Sequence, residues 1–186
     1  MVKDPKSRTV IKNILITGNP GIGKTTLIQG IISRFNVLAG GFYTVEVRDE
    51  SGKRWGFKII SLDGREEVLA SVDVISSRKV SKYGVDVGAV DRVGVTAIRD
   101  ALKSKDIVVI DEIGRMELIS DRFRDIVQVA LDSLKPVLGT IALKETNTSK
   151  KVKERQDTRV IKLTRANFHE IETYVGRLLQ KALVQL

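Results

Sequence analysis

Cysteine is absent from all 186 residues, which removes disulfides, thiol nucleophiles and thiolate metal sites from consideration. It also suits a reducing compartment. No apolar run approaches the roughly eighteen residues of a membrane span. The first dozen residues carry Lys3, Lys6, Arg8 and Lys12 without a signal-peptide core. Residues 1–10 are therefore expected to be a flexible basic tail, and the protein to be cytoplasmic. Aromatic residues make up only 5%, and no stacking pattern of an RNA-binding module accompanies the basic residues. There is neither an internal repeat nor a low-complexity segment.

What is present is a charged chain with a net charge of +9 and a hydrophobic share of 42%, the balance of a globular protein. The length suits one domain with a good core, expected over residues 11–186. The excess charge fits either a nucleic-acid surface or a solvated surface that attracts a polyanionic nucleotide. Basic residues are spread along the chain, and Glu154 interrupts the one local cluster at Lys150, Lys151, Lys153 and Arg155. The solvated surface is the favoured reading, with nucleic acid a possible partner and a monomer the expected state.

The most informative stretch is Gly18-Asn19-Pro20-Gly21-Ile22-Gly23-Lys24-Thr25, followed by Thr26. It fits the phosphate-cradling P-loop pattern, and its flanks fit too. Ile14-Leu15-Ile16 reads as a buried strand, and Leu27, Ile28, Ile31, Ile32 and Phe35 share one helical stripe. Glycines let successive backbone N–H groups turn toward phosphate oxygens. The helix N-terminus adds positive charge, Lys24 reaches the outer phosphates, and the Thr25 hydroxyl is suited to Mg²⁺.

Past this loop, Gly40-Gly41 reads as a break. Tyr43, Val45 and Val47 alternate with Thr44, Glu46 and Arg48, and Trp55, Phe57 and Ile59 alternate on the return. Residues 42–62 are thus expected to form a β-hairpin, with a third strand over 66–75, giving an antiparallel insert at 42–75. Residues 76–90 read as ambiguous, with a mobile loop suggested by Ser76 to Lys79. A helix is expected over 91–103 and a strand over 107–110. A Ser120-capped helix follows, with a stripe including Leu134; strand 137–142, loop 143–149 and strand 160–163 come next. A last helix is expected to be capped by Thr164. The alternation after residue 91 implies an α/β fold with a mostly parallel sheet covered by helices.

Ile107-Val108-Val109-Ile110-Asp111-Glu112 supplies what a binding loop lacks. Four apolar residues bury a strand whose end projects two carboxylates where α/β sheets bind ligands. Asp111 is expected to share Mg²⁺ with Thr25, and Glu112 to poise a water against the γ-phosphate and take its proton. Three rivals compete. The P-loop spelling is shared with nucleotide kinases, although a glutamate beside the metal aspartate invites water. Asp111-Glu112-Ile113-Gly114 fits the D-x-x-G of GTPases, but no N-K-x-D run follows. A RecA-like ATPase acting on nucleic acid suits the charge but lacks a strand-binding motif.

Gly41 to Arg48, Gly56-Phe57, Tyr83-Gly84-Val85-Asp86, Asp111-Glu112-Ile113-Gly114-Arg115-Met116-Glu117-Leu118 and Gly139-Thr140-Ile141-Ala142 occur in that order. With the P-loop, this series resembles the small nucleoside-triphosphatase family of thermophilic bacteria, archaea and animals, from residue 12 almost to the end. The resemblance implies a RecA-like P-loop core with added antiparallel strands. It also implies slow Mg²⁺-dependent hydrolysis of several nucleoside triphosphates. Two positions depart from the pattern: Phe168 follows Asn167 where the family tends to have arginine, and Ser81 replaces a glycine.

Further residues carry two readings each. Arg115 is either an internal arginine finger or a surface residue of the next turn. Thr44, Glu46 and Arg48 line a second pocket or, as favoured, a solvated edge face. Thr140 senses the γ-phosphate or merely suits a strand, the latter slightly preferred. His169, Trp55 and the methionines read as packing.

Overall fold

The computed structural model describes residues 10–35 and 37–185; residues 1–9, most of the expected basic tail, lie outside that range. Among the described residues, nine strands form one sheet, ordered β5-β6-β4-β3-β2-β7-β8-β1-β9. The elements are β1 (Asn13–Thr17), α1 (Lys24–Phe35), β2 (Ala39–Arg48), β3 (Arg54–Ser61), β4 (Glu66–Ser71), β5 (Lys79–Val80) and β6 (Tyr83–Val85). There follow α2 (Val87–Ala89), a π-helical stretch (Val90–Val95), α3 (Thr96–Ser104), β7 (Ile107–Ile113) and a 3₁₀ turn (Glu117–Ile119). The chain continues as α4 (Asp121–Asp132), β8 (Val137–Ile141), α5 (Asn147–Lys153), β9 (Thr158–Lys162) and α6 (Phe168–Val184).

Strands β2, β7, β8, β1 and β9 pair in parallel, whereas β3, β4, β6 and β5 continue the sheet antiparallel. Side-chain alternation distributes each buried strand between two cores. Ile14, Ile16, Ile107 and Val109 pack with α1 and α6 on one face. Leu15, Val108, Ile110, Phe42 and Phe123 pack with α3 and α4 on the other. The result is an α/β fold of RecA-like P-loop type. β8 stands between the P-loop strand β1 and the acidic strand β7.

The expected antiparallel insert is relocated by the structure. β2 begins at Ala39, three residues before the expected hairpin. Its first half pairs in parallel with β7, from Ala39 opposite Ile107 to Tyr43 opposite Asp111. β2 therefore fills the parallel position that normally follows the P-loop helix, while its second half starts the antiparallel group. Gly40-Gly41 is not a break. Both glycines lie within β2, and a Cβ on Gly41 (φ +120°) would overlap the Val109 carbonyl. Close strand approach, rather than turn formation, explains the pair.

Other boundaries moved for local reasons. The third strand stops at Ser71 instead of residue 75, where Ser71 Oγ accepts from the Asp73 and Val74 amides. Residues 79–85 form a β-hairpin rather than a loop, and the helix starts at Val87, capped by Asp86. The Ser120 cap is present, its Oγ accepting from Phe123 N at 3.0 Å. That helix ends at Asp132, leaving Leu134 exposed instead of in the stripe. The expected loop at 143–149 becomes helix from Asn147, because Thr146 and Ser149 form a reciprocal capping box. Asn167, not Thr164, precedes the last helix, and its Oδ1 accepts from Thr164 N at 2.7 Å. Among the described residues, no helix is long and apolar enough to cross a membrane.

Ser81 sits in the β5–β6 turn with φ +57°, a left-handed conformation that costs a side-chain-bearing residue about 1–2 kcal/mol. Ser81→Gly should therefore raise stability by about 1 kcal/mol, a Tm increase of roughly 2–4 °C for a chain of this size. Calorimetry on both proteins would test this, and a lower Tm for the variant would contradict it.

Candidate active site

Asp111 is the pivot of the site. It follows Ile107 and Val109 on the face of β7 that packs against α1, so strand alternation aims it at the helix following the P-loop. Thr25 Oγ1 donates to Asp111 Oδ2 at 2.5 Å, and Thr140 Oγ1 donates to Asp111 Oδ1 at 2.5 Å. The carboxylate is 2% exposed, a position that demands such partners. Burial pushes its pKa up, while the two hydroxyls and the charge of Lys24 oppose the rise. Thr140 thus does more than suit a strand: its hydroxyl holds Asp111.

The loop itself turns between β1 and α1, with Gly21 and Gly23 at φ +72° and +99°. Lys24 Nζ donates to the carbonyls of Gly18 at 3.2 Å and Asn19 at 3.4 Å. Phe168 packs beside the loop: a Cβ on Gly23 would meet its ring at 3.1 Å.

Cavities open on both sides of the loop. One of about 420 Å³ lies on the outer side, between Asn19, Ile22, Lys162 and Arg165. Another, of about 340 Å³, lies on the inner side between Lys24, Glu112 and the antiparallel strands. Asp111 and Glu112 are joined by a cis peptide bond. Glu112 is half-buried, and burial raises its pKa; the charge of Lys24 lowers it and that of Asp111 raises it.

The inner cavity gathers residues scattered through the sequence. Lys24, Glu112 and Arg115 line it together; the Arg115 side chain is exposed and also borders a neighbouring surface groove. Thr44 and Glu46 line it too, so the favoured edge-face reading is corrected for those two residues. Arg48 stays at the surface, paired with Glu46. The reason is topological: β2 runs past Asp111 in register, and Thr44 follows immediately. Met116 also lines the cavity, beyond simple packing.

Sequence reasoning missed Glu117 as a site residue. It is 4% exposed, lines the inner cavity and lies close to Glu112. A Cβ on Gly114 would meet Glu117 Oε2 at 2.7 Å and Glu112 Oε1 at 2.8 Å. The available signal was an acidic residue between Met116 and Leu118, within an apolar stretch. Arg54, Phe57 and Lys144 were likewise not assigned to the site.

The basic cluster near residue 150 is largely engaged in ion pairs. Lys153 meets Glu145 at 3.2 Å, Lys150 meets Glu154 at 3.8 Å, and Arg155 meets Asp132 at 2.8 Å and Asp157 at 2.9 Å.

Residues 13–175 match the family described as NTPase. The chain belongs to that family. This NTPase is 47% identical over 154 residues to nucleoside-triphosphatase THEP1 of Thermotoga sp. (strain RQ2), covering 83% of this chain and 87% of the relative. It is 38% identical over 176 residues to nucleoside-triphosphatase THEP1 of Aquifex aeolicus (strain VF5), covering 90% and 99%. The crystal structure of THEP1 from the hyperthermophile Aquifex aeolicus superposes with a TM-score of 0.81 at 34% identity, covering 90% of this chain and 98% of that one. The solution structure of a human cancer-related nucleoside triphosphatase gives 0.77 at 30% identity, covering 91% and 98%.

Glu117 provides a pH test within this NTPase. Burial, then the charges of Glu112 and Asp111, push its pKa from 4.5 up to about 8, against hydrogen bonds from the amides of Glu117 and Gly114. A raised folded-state pKa means the folded protein binds the extra proton. Its stabilising contribution is full below pH 4.5 and is lost as pH rises through about 8. Glu117→Gln should flatten the decline in unfolding free energy between pH 5 and pH 8, measured by urea titration. Parallel pH profiles for the two proteins would refute this.

Proposed function

We propose that the protein hydrolyses nucleoside triphosphates to the diphosphate and inorganic phosphate. The observation that carries this reading is the shared wall of Lys24 and Glu112 in the inner cavity, beside the Asp111–Thr25 pair. A triphosphate seated along Gly18–Thr26 has its phosphates against the loop amides and the start of α1. Its nucleoside end takes the outer cavity at Ile22, Lys162 and Arg165, and its γ-phosphate faces Glu112.

Glu112 then orients a water in line with the β,γ-bridging bond and accepts its proton. The water oxygen bonds to phosphorus as that bond breaks, releasing diphosphate and phosphate. Lys24 stabilises charge on the transferred group, and Arg115 can extend to it from the cavity rim. Thr140 keeps Asp111 in place, and the half-buried setting limits the number of waters near Glu112.

Thr25 and Asp111 supply hard oxygen donors suited to magnesium. Among the described residues, no cluster of three His, Cys, Asp or Glu side chains could hold a metal. That donor set fits an ion sharing its coordination with phosphate oxygens and water, rather than one in a protein cage. When bound, magnesium supplies neutralisation of the β- and γ-phosphate charge.

Purified protein incubated with ATP alone should release inorganic phosphate. Glu112→Gln should retain nucleotide binding while kcat falls by roughly 10²–10⁴-fold; phosphate release at the parental rate would remove Glu112 from the chemistry. Lys24→Ala should both weaken binding and slow turnover. Titration with a fluorescent ATP analogue and a phosphate assay separate the two effects, and unchanged values in both would refute the loop assignment.

A further inference from the structure

Hydrolysis requires one attacking water, yet the inner cavity has a volume of about 340 Å³, within the range of small-molecule sites. The triphosphate does not account for that space, because the outer cavity on the other side of the loop can take its nucleoside end. The inner cavity is bounded instead by the antiparallel strands that extend the parallel core. Their side chains have the character of a binding site.

Phe57 forms an aromatic wall, held edge-on by Tyr83 at 5.4 Å between ring centroids. Leu69 and Val80 continue the apolar surface. Glu46 and Arg54 pair beside it, with the guanidinium 5.6 Å from the Phe57 ring centroid. This pair offers both acceptor and donor groups to the polar edge of a planar molecule. Glu117, 4% exposed, lines the cavity close to Glu112. Arg54 is engaged by Glu46, while Arg115 and Lys144 line the same space. Glu46 and Arg54 neutralise one another, Lys24 and Arg115 face the transferred phosphate, and buried Glu117 keeps its proton, so Glu112 and Lys144 remain in balance and an uncharged occupant meets no net charge.

We propose that the inner cavity binds an uncharged, nucleoside-sized compound whose hydroxyl replaces water as acceptor of the γ-phosphoryl group. This rests on the reading that Glu112 takes the proton of the attacking oxygen. The acceptor oxygen bonds to the γ-phosphorus, the β,γ-bridging bond breaks, and the diphosphate leaves with the bonding electron pair. The hydroxyl proton passes to Glu112. The products are the phosphate monoester and the nucleoside diphosphate, with no further reactant needed.

The test uses γ-labelled ATP with full-length protein and, in separate reactions, millimolar adenosine, guanosine, cytidine or thymidine. Matching reactions contain the corresponding monophosphates. Phosphate from ATP alone reports hydrolysis, independently of the ratio of diphosphate to inorganic phosphate formed with each probe. Transfer predicts label in a new nucleoside monophosphate and diphosphate exceeding phosphate several-fold for at least one nucleoside. Equal diphosphate and phosphate with every nucleoside would overturn the proposal, as would label transfer to monophosphates only. Leu69→Trp, which fills the cavity, should return the ratio to one; Val80→Phe serves if that variant does not fold. Transfer that persists in a folded cavity-filling variant would also overturn the proposal.

Discussion

A carboxylate cannot be buried at the end of a strand unless other elements bring it partners. Asp111 receives one hydroxyl from Thr25 at the start of α1 and another from Thr140 on β8. Three elements are therefore tied at one point: the acidic strand, its parallel neighbour and the helix following the P-loop. With β8 between β1 and β7, the loop and the acidic residues lie across a strand from one another. The distance across that gap is closed by side chains of α1.

The strand order also explains why the P-loop has a cavity on each side. On one side the chain passes from β9 to α6, where Lys162 and Arg165 face the loop and Phe168 packs beside it. On the other, β2 leaves the parallel core and becomes the first strand of an antiparallel extension. A helix covering that end in the usual parallel manner would replace the cavity lined by Glu46, Phe57 and Leu69. The sheet extension is thus what gives this P-loop domain a second compartment next to its acidic residues.

Much of the fold was legible because it depends on local chemistry. Apolar runs marked β1, β7 and β8; the helical stripe of α1 was broadly right; Ser120 announced α4. Misreadings arose where a residue's role belongs to a neighbour distant in sequence. Gly40-Gly41 resembles a turn until the Val109 carbonyl is placed beside it. Leu134 continues a helical period that the backbone does not follow past Asp132. The capping box of α5 uses serine where glutamate or glutamine is the usual signal.

The sequence by itself determined a glycine-rich P-loop, an acidic strand end and an alternating α/β order. Each follows from residue types at fixed spacing: glycines that expose amides, four apolar residues before two carboxylates, and apolar periods of two or 3.6 residues. Only the tertiary structure decided that Thr140 holds Asp111, that Glu117 is buried near Glu112, and that Thr44 and Glu46 turn toward the loop. Those assignments depend on parallel register and strand order, which bring together residues whose sequence separation carries no comparable physical signal.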